Sequence, residues 1–148
     1  MRQNLFLNGV AAVGVAPIKS TADANGVIID MQGFGSLLLI AGIGVAADTI
    51  DASNYVVHKV YESDASDMTG ETAVPRANIL SEIAAGTAGE ISLFDNVVHL
   101  ASSCVHATIF PTKRYVRCKV DVTGTHTNGT PGAIFALKCD PGYRPANT

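Results

Sequence analysis

Nine consecutive residues, Tyr115 to Thr123, alternate without interruption. Val116, Cys118, Val120 and Val122 fall on one side, and Tyr115, Arg117, Lys119, Asp121 and Thr123 on the other. Side chains of a pleated strand point to opposite faces in turn, so this pattern describes a strand with one face buried and one wet. A turn-rich stretch follows, Gly124-Thr125-His126-Thr127-Asn128-Gly129-Thr130-Pro131-Gly132, whose residue types favour loops over ladders. Then Ala133-Ile134-Phe135-Ala136-Leu137-Lys138-Cys139 is apolar on nearly both faces. The simplest assembly of the two runs is an antiparallel hairpin with a long exposed loop.

The same grammar recurs along the chain. Val27-Ile28-Ile29-Asp30 is a short strand behind an Asn25-Gly26 turn signal. Ser36 to Ala41 is apolar on both faces, which suits a central strand covered on each side. Tyr55 to Glu62 and Val105 to Phe110 alternate again, the second closed by Pro111. Asn78 to Ile83 reads as one or two helical turns capped by Asn78, or as a strand. Seven to nine short strands separated by turn signals predict an all-β fold, an antiparallel β-sandwich or jelly-roll-like arrangement with at most one short helix. Residues 1–24 have no clean period, and Gly9, Gly14 and Pro17 oppose a helix. They are expected as an extended N-terminal arm, with a plain edge strand as the alternative, ahead of a single sandwich domain at 25–148.

Composition narrows the class of function. Charged residues make up 16% of the 148 residues, against about 25% in an ordinary soluble domain. A surface this poor in charge suits a subunit that hides part of its exterior against neighbours. The formal net charge is −3, and the densest basic run, Lys113, Arg114, Arg117 and Lys119, alternates with apolar residues; neither favours nucleic acid. The apolar run from Leu37 to Ala47 is short and glycine-rich for a bilayer span, and the N-terminus lacks the pattern of a signal peptide. Three cysteines do not make a secreted disulfide framework. Cys118 and Cys139 lie on the two strands of the proposed hairpin, so pairing is conceivable beside the alternative of buried thiols.

No constellation for catalysis or metal binding emerges. His58, His99, His106 and His126 lack ligand spacing. Glu62, Asp64, Asp67 and Glu71 lack the periodicity of a calcium loop and read as a solvated acidic loop. Ser102-Ser103-Cys104 has no serine-elbow context. The glycine pairs at 33 and 35 and at 42 and 44 precede no helix that would make a phosphate cradle. Asn128-Gly129-Thr130 matches a glycosylation acceptor but reads as a turn. No cofactor is expected, and no enzymatic activity.

Several short words, in order, resemble a family of small structural proteins of tailed bacteriophages and prophages, the head decoration or cement type. That family opens on an "NG..ID..GF.S" pattern, matched here by Asn25-Gly26, Ile29-Asp30 and Gln32-Gly33-Phe34-Gly35-Ser36. Tyr61-Glu62-Ser63-Asp64 resembles its strand ending in Glu-Ser-Asp. Arg114-Tyr115-Val116-Arg117, Thr123-Gly124-Thr125, Gly132 to Leu137 and Tyr143-Arg144-Pro145 resemble its closing strand, loop and tail. The match runs from Asn25 to Pro145, although Pro75 to Gly89 has no specific counterpart.

The resemblance implies a virion component, made in the bacterial cytoplasm and placed on the outside of the head. The expected function is to bridge subunits of the major capsid protein without catalysis. Symmetry at a shell vertex favours a ring of copies, a trimer before other states, and several weak contacts together give avidity. The expected contacts are Leu5, Phe6, Leu7 and Val10 in the arm, and Thr125, His126, Asn128 and Pro131 in the loop. The alternative is a receptor- or carbohydrate-binding sandwich in a head spike, fibre base or tail. It would need aromatic platforms, for which Tyr55 and Tyr61 share a face.

Overall fold

The computed structural model describes residues 9–81, 86–97, 100 and 102–141. Among the described residues ten strands follow one another: β1 (Val10–Ser20), β2 (Ala24–Asp30), β3 (Phe34–Ile43), β4 (Tyr55–Ser63), β5 (Thr72–Ala73), β6 (Ile79–Ser81), β7 (Glu90–Phe94), β8 (Cys104–Ile109), β9 (Tyr115–Thr123) and β10 (Thr130–Pro141). They form two antiparallel sheets. Sheet A has the order β1-β10-β3-β8-β6; sheet B has the order β2-β9-β4-β5, with β7 also on β4. Pairing is nested: β1 takes β10, β2 takes β9, β3 takes β8, and β4 takes β7. A long hairpin rolled into two layers has this order, and the result is a jelly-roll-like β-sandwich. No helix among the described residues is long and apolar enough to cross a membrane.

The alternating strands do what their pattern requires. On β9, Val116, Cys118 and Val120 are buried, and on β8 so are Val105, Ala107 and Ile109. With Leu37 and Leu39 of β3, Val56 and Val60 of β4, Phe94 of β7 and Ile134 of β10 they form one core between the sheets. The predicted hairpin between Tyr115–Thr123 and Ala133–Cys139 does not form. β9 lies in sheet B and β10 in sheet A, so the intervening loop crosses from one layer to the other. Alternation fixes which face is buried but not which strand is the neighbour, and in a sandwich the next strand often belongs to the opposite sheet. Cys118 and Cys139 are accordingly on different sheets, and all three cysteines are free. Cys118 is buried, but Cys104 is exposed and Cys139 half-buried.

Three further boundaries sharpen the sequence reading, the second and third along an alternative that it held open. Asn25-Gly26 is no turn but the start of β2, at an irregularity between Asn25 and Ile28. Here β1 and β2 touch at the margin of the sandwich, and a Cβ on Gly26 would lie 1.9 Å from the Gly14 carbonyl oxygen. Only glycine fits there. Second, Arg76–Asn78 is a 3₁₀ turn that ends where Ile79 becomes extended, and Ile79–Ser81 pairs with β8. Residues 82–85 lie outside the described residues. Third, within the stretch expected as an arm, residues 10–20 are an edge strand of sheet A, with Val15 buried in the core.

Candidate interaction face

β3 and β10, the two runs apolar on both faces, pair along their length at the centre of sheet A. Leu37, Leu39 and Ala41 of β3 point into the core, so Leu38, Ile40 and Gly42 point away from it. Cross-strand register then builds three rows on the outer face. Ala11, Leu137, Leu38, Thr108 and Leu80 stand side by side across all five strands. Val13, Phe135, Ile40 and His106 make the second row, and Ala133, Gly42 and Cys104 the third. Among the described residues these rows carry no Asp, Glu, Lys or Arg. Parts of these rows are open: Ile40 is 42% exposed, Phe135 50% and Leu80 63%.

The face is not flat. Bulky side chains of the second row give way to Ala133, Gly42 and Gly44, leaving a shallow hollow of about 460 Å³. Its rim includes Pro17, Pro131, Phe135 and Cys104. Lys19, opposite Pro131, brings the first cation at that corner.

Sheet B presents the opposite character. Lys59 pairs with Asp121 at 2.6 Å, and Arg117 with Glu71 at 2.6 Å. Glu71 also holds the Lys119 ammonium, which lies 4.3 Å from the centre of the Tyr61 ring. Those two cations hold the Glu71 carboxyl below its usual range even though partial burial pushes it upward as the largest influence. Arg114 forks onto both Asp30 oxygens, at 3.0 and 2.8 Å, and that hydrogen bonding lowers the Asp30 pKa to about 2. A polar cleft of about 260 Å³ lies among Asp23, Asn25, Tyr61, Lys119 and Asp121. Tyr61 is capped there by an ammonium group, so it is not the open aromatic platform that sugar stacking requires.

The expected contact residues are scattered. Leu5, Phe6 and Leu7 lie outside the described residues. Val10 is exposed at the start of β1, opposite Lys138. Thr125 and Asn128 are exposed in the β9–β10 loop, where Asn54 Oδ1 accepts from Thr125 N at 2.8 Å and Asp48 accepts from Asn128 N and Nδ2. Pro131 is half-buried at the rim of the hollow. His126 is not a surface residue at all: it is 3% exposed. Its Nε2 donates to the Thr123 carbonyl at 3.0 Å, which leaves Nδ1 to accept from Thr130 Oγ1 at 3.1 Å. A hydrophilic loop hid its own polar staple, and composition carries no signal for that.

Several other chemistry-bearing side chains make structural contacts. Glu62, expected in a solvated acidic loop, is buried and accepts from Thr112 N and Oγ1, both at 2.7 Å, pinning the β8–β9 loop. Asp67 closes its own loop by accepting from Thr69 N. His58 is buried with Nδ1 2.9 Å from Ser92 Oγ and its ring against the edge of Phe94. Burial lowers the His58 pKa to about 4 and pushes the Cys118 thiol up to about 12. Ser103 Oγ donates to the Leu100 carbonyl. Among the described residues no three His, Cys, Asp or Glu side chains converge as metal ligands. His99 lies outside the described residues.

The outer face of sheet A was missed by the sequence reading, though a signal for it existed. Two strands apolar on both sides, one with glycines at 42 and 44, announce a second apolar surface with a dip in it.

No protein-family profile matches the chain, and no curated protein matches it. Among solved structures, the crystal structure of SPBc2 prophage-derived protein YomS is similar, with a TM-score of 0.52 at 11% identity. The likeness covers 90% of this chain and 94% of that one. The two share a fold.

Proposed function

We propose that this chain is a non-enzymatic structural subunit of a phage particle, a decoration or cement protein on the outside of the head. The observation that carries the reading is the one-sidedness of the sandwich, with a charge-free apolar face on sheet A and an ion-paired face on sheet B. A free monomer gains nothing from such a face, whereas a subunit that completes itself against neighbours needs one. The prophage source of a protein with the same fold supports the phage setting. In this reading sheet A turns toward neighbouring subunits, either the major capsid protein or further copies of this chain, and sheet B faces solvent. No cofactor takes part.

Binding to heads stripped of the protein tests the proposal. Ile40→Asp, a charge placed in the middle of the apolar face, is expected to lower occupancy at least tenfold, since burying an unpaired carboxylate costs more than 1.4 kcal/mol. Tyr55→Asp on sheet B is expected to leave occupancy unchanged. Equal occupancy by both variants would end this reading. The alternative, a receptor- or carbohydrate-binding module, draws on the polar cleft at Tyr61. Saturable binding on a glycan array, lost in Tyr61→Ala, would put it in first place.

A further inference from the structure

We infer that the outer face of sheet A is the contact between two copies of this chain, joined face to face by a two-fold axis that runs across the strands between the second and third rows. The inference rests on reading this face as an assembly surface, and it names the occupant. Its first support is shape. The ridge of Phe135 and Ile40 lies one alternation, about 7 Å along the strands, from the hollow floored by Ala133 and Gly42. A two-fold axis between them sets each ridge over the other copy's hollow, so that Phe135 meets Ala133 and Ile40 meets Gly42, and the reverse. An isologous interface demands this kind of self-complementarity.

The second support is charge. A face that meets its own copy places identical groups near one another, and any fixed charge close to the axis would be repelled by its twin. The three rows hold none among the described residues, while sheet B is laced with ions.

Size sets the strength. The rows that this axis overlays are three to four strands wide; at about 4.8 Å per strand and about 20 Å of strand length they give about 300–400 Å² per copy, or about 600–800 Å² for the pair. That is below the size of a standard specific interface. The pair is therefore weak and reversible, and its dissociation constant belongs in the micromolar range or above. This two-fold pairing differs from the three-fold ring expected from the sequence.

Sedimentation of the full chain from about 1 µM to about 1 mM tests the inference. The expected result is a weight-average mass rising from the 15.4 kDa monomer toward twice that value. Phe135→Asp is expected to remain monomeric throughout, with an unchanged far-UV spectrum. Ala133→Trp adds apolar surface but fills the hollow; it is expected to weaken pairing at least tenfold, where general stickiness would strengthen it. A wild-type chain that stays monomeric, forms a trimer, or pairs equally well as Ala133→Trp overturns the inference. The head-binding assay separates the two levels: a monomeric wild type whose head binding is abolished by Ile40→Asp keeps the proposed function and hands the face to the capsid.

Discussion

His58 sits where a basic side chain is least at ease, fully buried between the sheets with its ring on Phe94. Its pKa is lowered to about 4 by burial, from an ordinary 6.5. As pH falls through 6.5 the unfolded chain takes up a proton that the folded chain refuses. The His58 contribution to stability is therefore lost between about pH 6.5 and pH 4 and changes no further below. The difference corresponds to about 3 kcal/mol. Urea denaturation midpoints measured from pH 7 to pH 4 should show this slope in the wild type, and His58→Gln should flatten it. Glu62 makes a second residue-scale case, because three donors from Thr112 and Lys113 converge on one buried carboxylate. Glu62→Ala leaves those donors in a part-buried loop and is expected to cost about 2–3 kcal/mol, read from the same denaturation curves. The thiols separate in the same way. Native protein is expected to react with a thiol reagent at exposed Cys104, while buried Cys118, with its pKa at about 12, reacts only after unfolding.

At the scale of elements, the margin where β1 meets β2 is the tightest joint. A Cβ on Gly26 would run into the Gly14 carbonyl oxygen and, at 2.8 Å, into that of Cys118. Both obstacles are backbone and cannot swing aside. Gly26→Ala is expected to lose about 3 kcal/mol or more, measured by the thermal or urea midpoint, whereas Gly35→Ala, with 3.5 Å of space at its Cβ, should be nearly silent. The strands themselves were legible because a half-buried strand must alternate, and β4, β8 and β9 alternate plainly. Partnership was not legible: the periods of β9 and β10 are compatible with a hairpin and with two separate sheets alike. Ile79–Ser81 fell between helix and strand for a related reason, since Ile79 and Ile83 suit either period and the pairing with β8 decides. The buried roles of Glu62 and His126 depend on loops 50 and several residues away closing over them, which local pattern does not encode.

On the scale of the whole molecule, low charge content was the readable fact and its distribution was the hidden one. The sequence says that 16% of residues are charged; the fold places Lys59, Arg117, Lys119, Asp121 and Glu71 together on sheet B and leaves the three outer rows of sheet A without a charge. That division came from register, which stacks the outward residues of β10, β3 and β8 into common rows. The nested strand order has a consequence for biosynthesis. β10, made after all the other described strands, must enter between β1 and β3, which are made among the first. Until then the central gap of sheet A stays open, exposing two unpaired backbone edges beside bulky aliphatic side chains. Such a chain cannot fold progressively as it emerges, and its long-range closure belongs among slow, millisecond-to-second events. Overproduction at high temperature should therefore drive it into inclusion bodies, and slower synthesis in the cold should recover it.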